Sequence, residues 1–150
     1  MSLITILPDR LCEWFSDMNE FSGYSFCTQF PSGSKATPLT KPVIVFGMQS
    51  VEILDNTTDE TGTIITDSRI AQKQFSIGIH VPRSEGGASC GEILDRLLDL
   101  LIFNTSLYIS SVKSDEVQYI RNTDSLYMST VFTTVETIAK GTEYPAALSV

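Results

Sequence analysis

Apolar and polar positions alternate with period two over Lys73 to Val81, "KQFSIGIHV", where Phe75, Ile77, Ile79 and Val81 interleave with Gln74, Ser76, Gly78 and His80. That period predicts a strand with one buried face. The period then changes. Ile93, Leu94, Leu97, Leu98, Leu101 and Ile102 recur at helical spacing, with Glu92, Asp95, Arg96 and Asp99 on the opposite arc. An amphipathic helix over 89–103 is expected, opened by a capping box in which Ser89 and Glu92 satisfy first-turn amides. Gly86 and Gly87 can supply positive φ in the turn before it.

The other elements follow from the same two periods. Residues 3–18 place Leu7, Leu11, Trp14, Phe15 and Met18 on one side of a helix, although Pro8 and Asp9 can instead mark the first turn of a later start. Residues 23–31, "GYSFCTQFP", alternate as a strand, and 32–42 form a Ser/Thr/Pro-rich loop. "VIVFGMQSVEIL", 43–54, starts apolar on both faces and then alternates, as in a central strand running out to an exposed end. The polar tip "DNTTDETGT" and "IITDSRIAQ" lead back into the strand at Lys73, which makes a long hairpin arm with few apolar residues in its outer half. After the helix, "LYISSVKSDEVQYIR" and "LYMSTVFTTVETI" read as a second hairpin joined by "NTDS", followed by a flexible tail over 140–150.

The order is therefore α-β-β-β-α-β-β. It predicts a single α+β domain over 1–150, with one mostly antiparallel sheet and two helices packed on a face.

Composition narrows the function. Ten Lys plus Arg against 18 Asp plus Glu leave a net charge of −8, which opposes adhesion to nucleic acid or anionic lipid. Three cysteines, Cys12, Cys27 and Cys90, without a C-x-x-C pair suit free thiols in a reducing cytoplasm. No run approaches the roughly 18 apolar residues that span a bilayer, and no secretion signal is expected.

The chemistry-bearing residues have plain structural readings. Gly86 and Gly91 satisfy G-x-x-x-x-G, but Glu92 and Ile93 stand where a phosphate loop needs Lys and Ser or Thr, so no nucleotide cradle is expected. His80, the lone histidine, is expected on the strand face opposite Ile79, facing solvent or an interface. Its one candidate catalytic partner is Cys90, whose thiol a helix N-terminus would acidify. Cys12, Cys27, Cys90 and His80 lack zinc-ligand spacing, and Glu92, Asp95 and Asp99 around Arg96 read as a solvated face. Asp55, Asp59 and Glu60 lack the calcium-loop frame. No cofactor, metal or catalytic residue is expected.

The helix, the strands with their polar arm, the helix after "HVPRSEGGASCGEILDRLLDLL" and the closing "LYISSVKSDEVQYIRNTDSLYMSTVFTTVETI" resemble the tail terminator, or tail-completion, proteins of long-tailed bacteriophages and phage-derived tail-like particles. The resemblance runs from about Leu3 to Ile138 and rests on element order, size and sequence texture. It implies a homo-hexameric ring at the head-proximal end of the virion tail, assembled in the host bacterial cytoplasm. The ring would stop tail-tube polymerisation, meet the head-tail connector, and let DNA pass through its lumen without specific binding and without any membrane contact. In that picture the arm from Asp55 to Gln72 packs on a neighbouring subunit or on the tube. Arg69, Lys73 and Arg83 are then the candidates to meet Asp55, Asp59 or Glu60 across subunits. A head-completion or neck adaptor or another tail ring protein is the first alternative, followed by a small Cys/His enzyme and a monomeric ligand-binding domain.

Overall fold

The computed structural model describes residues 3–30, 38–54, 58, 60–64 and 68–139, the side chains of 3–6 and 139 excepted. Its elements are α1 (Leu3–Ser16), β1 (Ser25–Cys27), β2 (Val43–Ile53), β3 (Ser68–Pro82), α2 (Ala88–Phe103), β4 (Ile109–Ser114), β5 (Gln118–Ile120) and β6 (Ser125–Ala139). The strands form one six-stranded sheet in the order β1-β2-β3-β6-β4, with β5 also on β6. Every pairing is antiparallel except β1 on β2. The architecture is the α+β sheet with helices on one face that the periodicities predict.

Alternation decides which face the helices cover. Phe75, Ile77, Ile79 and Val81 of β3 point inward, and the register brings Phe132 opposite Phe75 and Met128 opposite Ile79 on β6. On the other side, Phe46 lies opposite Ile77 and Ile44 opposite Ile79. α1 packs over β1 and β2 and α2 over β3 and β6, with Leu7, Leu11 and Phe15 from the first and Leu97 and Leu101 from the second almost fully buried. Phe15 is the aromatic hinge of α1. Its ring lies 5.6 Å from Phe46 and 5.5 Å from Phe26, near parallel to both, and 5.7 Å edge-on from Phe21.

Several local expectations are corrected. Of the two readings of the first helix the start at residue 3 holds, with α1 running through Pro8 and ending at Ser16 instead of 18; because Pro8 lies near the N-terminal end, only one early hydrogen bond is lost. The Ser89/Glu92 capping box does not form. The helix begins at Ala88, so Ser89 already lies in its first turn, and the Ser89 hydroxyl donates back to the Gly86 carbonyl at 2.9 Å. Gly86 takes positive φ, 81°, whereas Gly87 is helical at −66°. The strand expected over 23–31 is reduced to Ser25–Cys27.

The closing hairpin is also different. Its first strand is split, because 115–117 stand opposite only 128–129 between the Ser114↔Thr130 and Gln118↔Tyr127 pairs. That extra residue breaks the ladder as a bulge does. The hairpin arm is not two-stranded at its base either: β6 follows β3 along its whole length, from Ser68↔Ala139 to Pro82↔Ser125. Past the main ladder, Leu54 N–H donates to Ile70 O at 2.8 Å, and Thr58 bridges Ile64. The tail expected over 140–150 lies outside the described residues.

Truncating Phe15 to Ala removes the ring that joins α1 to β1 and β2. Urea unfolding should show a loss of about 3–5 kcal/mol, and a loss below 1 kcal/mol would mean that α1 is not held by this aromatic cluster.

Candidate functional site

The six residues singled out for subunit contacts are not gathered into one site. Asp55 and Asp59 lie outside the described residues, and Glu60 is exposed near the arm tip. Arg69 is exposed, and its Nε donates to the Leu54 carbonyl at 3.1 Å, closing the base of the arm. Arg83 follows β3 ten residues after Lys73, about 33 Å away at strand rise, where it pairs with Asp124 at 3.1 Å. Asp124 itself takes a left-handed conformation, φ 46°.

Lys73 differs most from expectation. It shares the inward parity of Phe75 and Ile77, so its side chain enters the covered face and is 0% exposed. There it forms an ion pair with Glu136 of β6. Glu136 is the partner that sequence reasoning missed, although the signal was present. The alternation that turns His80 outward turns Lys73 inward, and the alternation through Phe132 and Thr134 does the same for Glu136. Burial pushes the Lys73 ammonium down to about 8, against the pull of the Glu136 carboxylate, and the group stays protonated at neutral pH.

His80 lies on the opposite face, as the alternation predicts, but it is not a free solvent-facing side chain. Its ring is 4.4 Å from Phe30 and 4.5 Å from Tyr127, and its Nδ1 is buried without a described hydrogen-bond partner. Burial pushes its pKa down to about 4. Gly78 is part of the same arrangement: a Cβ there would come within 3.2 Å of the Tyr127 ring, which lies over the glycine. This cluster was not legible from β3 alone, because Phe30 and Tyr127 come from distant segments.

The Cys90–His80 dyad is not assembled. Cys90 is fully buried in the first turn of α2, its thiol pushed up by burial, while His80 lies on the far side of the sheet. Cys27 is likewise raised by burial, and Cys12 is pushed up to about 12; all three cysteines are free. Arg96 spends its charge locally, pairing with Glu20 at 2.7 Å and with Asp99 at 3.0 Å. That tie fixes α2 to the turn after α1. Among the described residues no three His, Cys, Asp or Glu side chains could hold a metal ion, and no helix is long and apolar enough to cross a membrane.

What remains open is association. β1 covers the outer edge of β2 only at Val43–Val45, so among the described residues Phe46–Ile53, paired with β3 on one side, has no strand on its other side. β4 is the opposite edge. Exposed apolar side chains lie on both, Met48 and Ile53 on β2 and Val112 on β4, and Phe103 and Tyr108 are exposed at the end of α2 and just before β4. Phe103 is 76% exposed and Tyr108 68%, unusual for rings of that size. No protein-family model matches the chain, and no curated protein matches it.

Two outcomes test the buried groups. Glu136→Leu leaves the Lys73 ammonium without its carboxylate and should lower unfolding stability by about 3 kcal/mol, whereas Lys73→Met with Glu136→Leu should come within about 1 kcal/mol of the parent or exceed it. Equal losses in both would show that the pair is not the relevant interaction. Because the folded His80 pKa, about 4, lies below the unfolded value near 6.5, the unfolded chain binds the extra proton. Stability should therefore fall as pH drops from 6.5 to 4, by about 1–2 kcal/mol after allowance for solvent screening. His80→Phe should flatten that part of the curve in denaturant titrations; an unchanged slope would assign it to other groups.

Proposed function

We propose that the chain is a structural subunit of a tail terminator ring in a long-tailed phage or a phage-derived tail-like particle. The ring caps the tail tube at its head-proximal end, stops tube growth and offers the surface that receives the head-tail connector. The observation that carries the proposal is the placement of exposed apolar side chains. They lie on the arm and along two open sheet edges, where further protein chains can cover them. The resemblance in element order over 3–138 supplies the identity of the assembly. The net charge of −8 suits a conduit from which DNA is repelled.

Native mass spectrometry over a wide concentration range, with negative-stain imaging of the heaviest species, should reveal a closed six-subunit ring. Addition of that ring to polymerising tube protein should arrest growth; tubes that lengthen unchanged in its presence refute the terminator role. Deletion of 56–63, which removes the arm tip beyond the described β2–β3 ladder, should leave a folded monomer with unchanged thermal unfolding that no longer assembles. Unimpaired assembly of the deletion variant would remove the arm from the contact.

A further inference from the structure

We infer that successive subunits join sheet to sheet, the β2 edge of one copy around Val51–Leu54 pairing antiparallel with β4 of the next, with Glu52 opposite Lys113 and Ile53 opposite Val112. This rests on the ring assembly proposed above and specifies its contact.

Strand direction is the first support. β2 is antiparallel to β3, β3 to β6, and β6 to β4, so β2 and β4 run in opposite senses. A second copy laid alongside in the same orientation therefore presents its β2 antiparallel to the first copy's β4. The added pair continues the pattern already in the sheet, and both open edges gain backbone hydrogen bonds. Because the two edges are different surfaces, the contact is head to tail and generates a ring when its rotation closes.

Side chains set the register. Ile53 lies opposite Ala71, and Val112 opposite Phe132, which places both on the helix-bearing face. Both are left open there, 47% and 37% exposed. Glu52 lies opposite Gln72 and Lys113 opposite Val131, which places both on the other face. Neither charge has an ion-pair partner among the described residues. Opposing Ile53 to Val112 automatically opposes Glu52 to Lys113, so one register matches apolar with apolar on one face and acid with base on the other. β1 does not obstruct it, since its last partner, Val45, lies six residues from Val51, about 20 Å along the strand.

The test is disulfide trapping in the full-length protein. Ile53→Cys mixed with Val112→Cys should oxidise to a cross-linked dimer, and the double variant Ile53→Cys/Val112→Cys to a ladder ending at the closed ring. Neither single variant alone should cross-link above the background of the native cysteines, since a head-to-tail contact never opposes a residue to itself. Independently, Glu52→Lys and Lys113→Glu should each weaken association about fivefold, and their combination should restore it. A ring that forms without the mixed cross-link and ignores both charge reversals keeps the ring but overturns this contact. A parent protein that stays monomeric at every concentration and on the tube overturns both.

Discussion

The pairing of β3 with β6 is the constraint on which the rest of the molecule depends. Fifteen residues of each strand are in register, Ser68↔Ala139 through Pro82↔Ser125, although α2, β4 and β5 intervene in the chain. Closing so long a connection is entropically expensive before any contact forms. The register must then be unambiguous, and the inner face makes it so. Phe75 meets Phe132 with ring centroids 5.5 Å apart, and a slip by one residue would turn Phe132 and Met128 to the outer face. α2 can settle only once this pair exists, because its buried stripe lies against β3 and β6.

The buried ion pair belongs to the same constraint. Toward the arm, the inner face changes from Phe75 and Phe132 to Lys73, Thr134 and Glu136. Buried pairs add little net stability compared with apolar packing, since desolvation offsets most of the attraction. Their strength is selectivity. Lys73 on β3 reaches a residue of β6 that a one-residue slip would turn away, so the pair adds a polar criterion for register at the point where aromatic packing ends.

The sequence was informative wherever one strand or helix could be read by itself. The period-two run to Val81 and the helical run from Ile93 placed β3 and α2 on the correct faces, and the inward turn of Lys73 was available from the same parity. What stayed illegible depended on partners. The interruption at 115–117 exists because β6 offers two residues opposite three. The His80 cover needs Phe30 and Tyr127, which share no local pattern with it. The capping box failed because the N-cap falls at Gly87, two residues before Ser89, a boundary set by the preceding turn at Arg83–Glu85 and the positive φ of Gly86.

Helices on one face of a sheet settle its interior but leave its ends open. Here the ends are of opposite polarity of direction, which matters for assembly. Two edges running the same way would meet parallel between copies in the same orientation, whereas β2 and β4 run opposite ways, so copies in one orientation can pair antiparallel and repeat until curvature closes the series. Charge works against that repetition, since each added copy brings a net −8. A contact that succeeds must therefore combine apolar burial with at least one local acid-base match. The neighbourhood of Ile53 and Glu52 on one edge and of Val112 and Lys113 on the other supplies both within two residues of strand.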